Sequence, residues 1–198
     1  GYVDFNDPLW NNIAGDPRVG GLAIELATRR RLRVNGRVTA LESGLLTVAV
    51  EEAYPNCPKY VQRRFLKPLP GSHVEQSRGE SGSALTGVAR EIVQAADTMF
   101  VASSNPRGGT DVSHRGGHPG FLTVLDEYSF RVPDYPGNSM FNTLGNLSLN
   151  ASAGILIVDF AGNRTLQLTG KTQVHWQGEG AQASGNTGRA WTFSLERW

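Results

Sequence analysis

The chain has 198 residues, a formal net charge of +1 and 39% hydrophobic residues, which is enough for one or two small domains and excludes a disordered chain. The near-zero charge argues against a general nucleic-acid binder, and no apolar run approaches the ~20 residues of a membrane span. The single cysteine excludes an internal disulfide, and the polar start at residues 1–4 lacks the pattern of a signal peptide. We therefore expect a cytoplasmic protein that binds neither nucleic acid nor membrane.

The first third of the chain predicts a helix followed by a set of strands. Asp7–Ile13 predicts a short helix, because a proline follows the capping aspartate. Alternation of apolar residues predicts strands at 19–26 and 31–38, joined as a hairpin, and a third strand at 45–50. A further helix is predicted to open at Pro58.

The second predicted strand carries alternating leucine or valine and arginine. We expect Leu32 and Val34 to point inward and Arg31 and Arg33 to point into solvent. The arginine-rich run 29–33 is then the rim of a hairpin and not a nucleic-acid patch.

Residues 65–83 are rich in Pro, Gly and Ser and predict a linker, after which residues 84–96 predict a helix. The elements predicted beyond that helix are strands at 99–103, 111–115, 121–125 and 129–133, a helix at 138–149, a hairpin at 154–160 and 164–175, and a last strand at 191–195.

An internal repeat is visible. Residues 16–36 align with residues 150–170 without a gap, and the predicted helices before them agree in position. The matched pairs include Gly20 with Gly154, Leu22 with Leu156, Leu32 with Leu166, and Gly36 with Gly170. We therefore predict a partial copy of one unit at residues 1–64, a linker at 65–83 and a complete copy at 84–198.

Ser113 and Arg115 lie two residues apart on a predicted strand, so they share a face. Arginine grips two phosphate oxygens at once, and Gly116 and Gly117 let a ligand approach the backbone. We interpret this strand as part of a phosphate site. The alternative is an edge-strand arginine in water.

The predicted helix after residue 137 carries a polar stripe made by Asn138, Asn142 and Asn146. Free N–H groups at a helix start attract phosphate, and Thr143 lies in the first turns. The alternative is an ordinary capped amphipathic helix, which explains Asn138 but not Asn142.

Three motifs in this half of the chain resemble one known family. They are S-x-RGG-x-PGF at 113–121, PDYPGN at 133–138, and N-T-x-GN with the VDF strand across 142–160. The resemblance is to the pyridoxamine 5'-phosphate oxidase-like, FMN-binding split-barrel family. It implies a mainly β fold with flanking helices, an FMN-binding split β-barrel, here with an incomplete second copy of the unit. The family works as a dimer with flavin at the interface, so the repeat resembles a pseudo-dimer, and we also expect a homodimer.

The resemblance implies a set of FMN-binding residues, which includes the strand and helix residues above. The set is Ser113, His114, Arg115, Gly116, Pro133, Asp134, Tyr135, Asn138, Asn142 and Thr143. For Tyr135, an ordinary turn flanked by prolines is an equal alternative. No metal is expected, because the chain has one cysteine and no H-E-x-x-H motif.

The first half offers its own candidates near Cys57. In a pseudo-dimer, Cys57, Lys59, Tyr60, Arg63 and Arg64 would face the flavin of the second half. The favoured alternative is a buried cysteine beside a solvated basic helix face.

The function expected from the resemblance is an FMN-dependent oxidoreductase acting on a small substrate, with the flavin carrying the chemistry. The catalytic residues stay unassigned. The alternatives are a flavin-binding protein without turnover and a split barrel that uses F420 or haem.

Overall fold

The computed structural model describes residues 7–42, 45–67, 79–137, 139–177 and 187–198. The helices of this part of the chain are α1 (Leu9–Gly15), α2 (Gly87–Ala95) and α3 (Asn142–Leu149). Its strands are β1 (Arg18–Glu25), β2 (Arg30–Glu42), β3 (Leu45–Pro55), β4 (Thr98–Ser104), β5 (Thr110–Gly116), β6 (Thr123–Val124), β7 (Ser129–Pro133), β8 (Ser152–Asp159), β9 (Arg164–His175) and β10 (Ala190–Arg197). Within it, no helix is long and apolar enough to cross a bilayer.

A seven-stranded antiparallel sheet contains the hydrophobic core. Its strands follow the order β5-β4-β8-β9-β10-β7-β6. Alternate residues of the central strands point to one face, where Ile157, Leu166 and Trp191 are at most 4% exposed. Helix α2 belongs to the same core through Ile92 and Val93. Truncation of one such large side chain to alanine costs about 2–5 kcal/mol, so this core contributes strongly to the stability of the fold.

A three-stranded antiparallel sheet, β1-β2-β3, packs against the edge strand β5 of the larger sheet. Arg33 of β2 donates to Asp111 and to Ser113, both on β5. The two sheets are therefore joined through polar, buried side chains and not only through apolar contacts. The expected mainly β fold with flanking helices is confirmed.

The repeat seen in the sequence has a structural counterpart. Helices α1 and α3 occupy aligned positions, strands β1 and β8 begin and end at aligned residues, and β2 begins at Arg30 where β9 begins at Arg164. The turn between the strands has the same left-handed residue in both copies, since Arg29 has φ 60° and Asn163 has φ 51°. Among the described residues, none that precedes α1 corresponds to β4–β7 of the second copy. The division of the chain into the domains 1–64 and 84–198 stays a prediction.

The aligned glycines Gly36 and Gly170 show that each copy has a third strand at the equivalent position. A Cβ on Gly36 would overlap the carbonyl oxygen of Ala49 in β3, and a Cβ on Gly170 would overlap that of Ser194 in β10. Both glycines thus allow the same close approach of the next strand. Strand β3 is the positional counterpart of β10.

Each copy contains the equivalent hairpin, but the two copies bury opposite faces of it. Leu166 is 4% exposed, whereas the aligned Leu32 is 42% exposed. Arg33 is 8% exposed, whereas the aligned Gln167 is exposed. The prediction that Leu32 points inward and Arg33 outward was wrong, because the first copy packs its polar face on Asp111 of β5.

Two predicted helix starts also differ from the structure. No helix follows Pro58; residues 59–60 form a turn, with Tyr60 at φ 64°, and the rest of 56–67 has no regular secondary structure. Helix α3 begins at Asn142 and not at residue 138, because Ser139 adopts φ 59°, which a right-handed helix does not accept. Most of the predicted linker 65–83 lies outside the described residues.

Candidate ligand pocket

Seven residues predicted to bind a cofactor line one pocket between the two sheets, with a volume of about 240 Å³. They are Ser113, His114, Arg115, Gly116, Pro133, Asp134 and Tyr135. Strand β5 supplies the first four residues, the end of β7 supplies Pro133, and the segment after β7 supplies Asp134 and Tyr135. Asn142 and Thr143 are not part of the lining, and Asn138 lies outside the described residues.

The first copy supplies the opposite wall. Arg31 and Arg33 of β2 line the pocket together with Cys57, Lys59 and Tyr60 of the segment that follows β3. Cys57, Lys59 and Tyr60 therefore lie on the pocket wall, whereas Arg63 and Arg64, predicted with them, are not among the lining residues. Arg31 and Arg33 were missed as site residues, because strand alternation assigned them to the solvent.

Asp134 joins two arginines at the floor of the pocket. One carboxylate oxygen accepts from Nη1 of Arg115 at 2.9 Å and the other from Nε of Arg189 at 2.9 Å. Burial lowers the pKa of Arg115, and the charge of Asp134 opposes that effect. The carboxylate is 9% exposed and is engaged by the two cations.

Arg33 is held by β5 through two hydrogen bonds. Its Nη1 donates to Asp111 at 2.8 Å and its Nη2 to the hydroxyl of Ser113 at 2.9 Å. The Ser113 hydroxyl, expected to contact a phosphate, thus already accepts a hydrogen bond from the protein. It retains one donor of its own for a ligand.

Arg31 and His114 form a second contact between the copies. Nη1 of Arg31 lies 2.9 Å from Nδ1 of His114, and Nη2 donates to the carbonyl of Cys57 at 2.8 Å. A guanidinium only donates, so Nδ1 accepts and the imidazole proton sits on Nε2. Burial, followed by the charges of Arg31 and other arginines, lowers the pKa of His114 to about 3. His114 is therefore a neutral group at neutral pH.

Two stacked tyrosines form the aromatic part of the wall. The rings of Tyr60 and Tyr135 lie 5.1 Å apart with an interplanar angle of 28°, and the Tyr60 hydroxyl donates to the carbonyl of Pro136 at 2.8 Å. One tyrosine comes from each copy. Flat apolar surface beside a cluster of cations suits a ligand with an aromatic ring and an anionic group.

The pocket carries an excess of positive charge. Among the described lining residues, the cations are Arg31, Arg33, Lys59, Arg115 and Arg189, and the anion is Asp134. Several lining residues also bury polar atoms that have no hydrogen-bond partner among the described residues. These atoms are Nε of Arg31, Arg33 and Arg115, Nε2 of His114 and Oδ1 of Asn56. Most of them are donors, which a ligand with acceptor oxygens would satisfy.

The asparagine stripe of α3 faces protein and not the pocket. Asn142 donates to the hydroxyl of Tyr54 at 2.8 Å, and Asn146 donates to Ser103 at 3.1 Å. Thr143 is 2% exposed within the helix packing. In the described structure these side chains fasten α3 to β3 and β4.

No group of three or more His, Cys, Asp and Glu residues is arranged to hold a metal ion in the part of the chain that the structure describes.

No protein-family model matches the sequence, and no curated protein sequence matches it. Among solved structures, it is similar to a putative pyridoxamine 5'-phosphate oxidase from Lactobacillus delbrueckii, with 13% identity, 59% of this chain and 95% of that chain covered, and a TM-score of 0.48. It is also similar to a variant of HupZ from Group A Streptococcus, with 14% identity, 58% and 98% coverage and a TM-score of 0.47. A protein described as an F420 reductase matches with 11% identity, 55% and 92% coverage and a TM-score of 0.40. The first of these descriptions names the family that the sequence motifs resemble.

Proposed function

We propose that this chain is a flavin-binding protein of split-barrel architecture that holds FMN in the pocket between its two copies and acts as an oxidoreductase on a small substrate. The observation that carries the proposal is the joint presence of unmatched cations, unpartnered buried donors and a stacked tyrosine pair around one cavity. A phosphate suits the cations and a flat ring system suits the tyrosines.

The residues of the chain bind and orient the cofactor, whereas FMN supplies hydride or electron transfer when bound. Asp134 is committed to Arg115 and Arg189, and His114 is neutral and engaged with Arg31. These contacts bind and orient the two side chains, and His114 keeps its Nε2–H as a donor to a ligand. This fits a site in which the cofactor carries the reaction.

Absorbance spectroscopy tests the proposal directly. Purified protein is incubated with FMN, separated from free ligand, and its visible spectrum is recorded; a flavin absorbance band that stays with the protein is the expected result. NADPH or NADH is then added under anaerobic conditions, and loss of the flavin absorbance band shows that the bound flavin is reduced. A protein that retains no FMN contradicts the proposal, whereas one that retains FMN and is reduced by no electron donor favours a flavin carrier without turnover.

The proposal includes a homodimer. Leu32 of the first copy is 42% exposed and lies beside Ala23 in β1 and Pro55 in β3, which are also exposed. The aligned face of the second copy is core, so the exposed face has the composition of an interface. Light scattering gives the test: the wild-type chain is expected to have twice the monomer mass, and a monomeric mass would contradict the dimer.

A further inference from the structure

Arg31 differs from the other arginines of the pocket in its charge environment. Arg33 pairs with Asp111, and both Arg115 and Arg189 pair with Asp134. Among the described residues, no carboxylate lies within ion-pair distance of Arg31. It donates to Nδ1 of His114 and to the carbonyl of Cys57, and the Cys57 side chain lies close to it, so no described carboxylate balances its positive charge.

The guanidinium is nevertheless fixed in place. It donates once from each terminal nitrogen, to a ring nitrogen on β5 and to a backbone carbonyl, and its side chain is only partly exposed. A guanidinium has five N–H donors, so the Nε–H and one N–H on each terminal nitrogen remain for another acceptor. The Nε is buried and has no partner among the described residues. A rigid, partly buried cation with spare donors is a preorganised anion site.

Comparison of the two copies points to the same residue. Arg31 aligns with Thr165 of the second copy, which is exposed and lies on the corresponding strand β9. Gly36 and Gly170 occupy aligned positions and make the same close contact with the next strand. The scaffold is thus repeated, but the cation belongs to the first copy alone.

We propose that Arg31 is the anion anchor of this pocket and that it takes the terminal phosphate of the bound ligand, in preference to Arg115. Arg115 already shares Asp134 with Arg189, so a phosphate there would meet a buried carboxylate. At Arg31 the same phosphate would meet an unmatched cation, with Lys59 on the same wall. The identity of the ligand as FMN rests on the proposed function; the position of the anion does not.

The test compares FMN with riboflavin, which has the same ring system and no phosphate. Affinities are measured by fluorescence titration for the wild type, for Arg31→Met and Arg31→Lys, and for the control Arg30→Met, whose exposed side chain lies outside the pocket. We expect Arg31→Met to weaken FMN binding by about 10- to 100-fold and riboflavin binding by less than about twofold. Arg31→Lys is expected to restore part of the FMN affinity, because a single charge remains. The control is expected to match the wild type.

Equal FMN affinity in the wild type and Arg31→Met would overturn the proposal, and so would an equal loss for FMN and riboflavin. If the wild type binds neither flavin, the proposed function fails, and inorganic phosphate then serves as the probe. If phosphate raises the Tm of the wild type and Arg31→Met abolishes this rise, the role of Arg31 as the anion anchor is supported. If the rise survives the substitution, or if the wild type shows no rise, the proposal is overturned. Unfolding by urea without ligand shows whether each variant is folded.

Discussion

Nη1 of Arg33 lies 2.8 Å from Oδ2 of Asp111, and this ion pair joins β2 of the first copy to β5 of the second. Both side chains are less than one tenth exposed. The pair is supported by the Arg33 hydrogen bond to Ser113, so it sets the distance between the two walls of the pocket.

Removing one member of this pair should be costly. We expect Asp111→Ala to lower the free energy of unfolding by about 3–5 kcal/mol, because it leaves a buried guanidinium without its counterion. The control is Arg37→Ala on β2, which removes an exposed pair with Glu51 of β3 and should cost about 0–1 kcal/mol. Urea unfolding measures both. Equal losses in the two variants would contradict the role of the Arg33–Asp111 pair.

The two aligned glycines should respond alike. Gly36→Ala and Gly170→Ala each place a methyl group against a carbonyl oxygen of the neighbouring strand, and we expect each to cost about 1–3 kcal/mol. Gly145→Ala in α3 meets nothing within 4 Å and should raise stability by about 0.5–1 kcal/mol. Thermal unfolding of the three variants checks the signs. A neutral Gly36→Ala would show that β3 does not approach β2 as closely as β10 approaches β9.

His114 should make stability depend on pH. Its pKa is about 3 in the folded protein and 6.5 for the ordinary group, so the unfolded chain binds the proton first as pH falls. The stabilisation is therefore complete above pH 6.5 and is lost progressively between pH 6.5 and 3. In the variant His114→Asn, the amide oxygen provides an acceptor for Arg31, and the side chain does not titrate. From pH 7 to pH 5 we expect the wild type to lose about 2 kcal/mol more than His114→Asn, measured by urea unfolding at each pH. Parallel losses would contradict a neutral buried imidazole.

The stacked tyrosines should contribute to the affinity for the flavin ring and not to the affinity for the phosphate. We expect Tyr135→Leu to weaken FMN and riboflavin equally, by about 1 kcal/mol, because both ligands share the ring system. Tyr128→Leu removes an exposed tyrosine in the turn before β7, away from the pocket, and should change neither affinity. Fluorescence titration of the two ligands gives the comparison. A loss confined to FMN would place the phosphate, and not the ring, beside Tyr135.

Much of the site was accessible from the sequence. The motif residues from Ser113 to Gly116 and the turn at 133–135 were predicted as one ligand site, and the structure brings them to one pocket. The spacing of these residues on a strand and in a proline turn is a local property, so it can be predicted from the sequence. Asn142 and Thr143 were predicted for the same site but lie in the helix packing, because the helix starts later than the asparagine spacing suggested.

The sequence by itself determined the strand pattern, the repeated hairpin with its glycines and the chemistry of β5, because these depend on periodicity and on backbone geometry within short segments. Only the tertiary structure decided which face of the first hairpin is buried. Period-two alternation gives two faces but not their partners, and hydrophobicity favoured Leu32 over Arg33. Asp111 and Ser113 reverse that preference, since a buried carboxylate and hydroxyl across the interface stabilise the arginine. That reversal turns Arg31 and Arg33 toward the pocket, and so makes the pocket cationic.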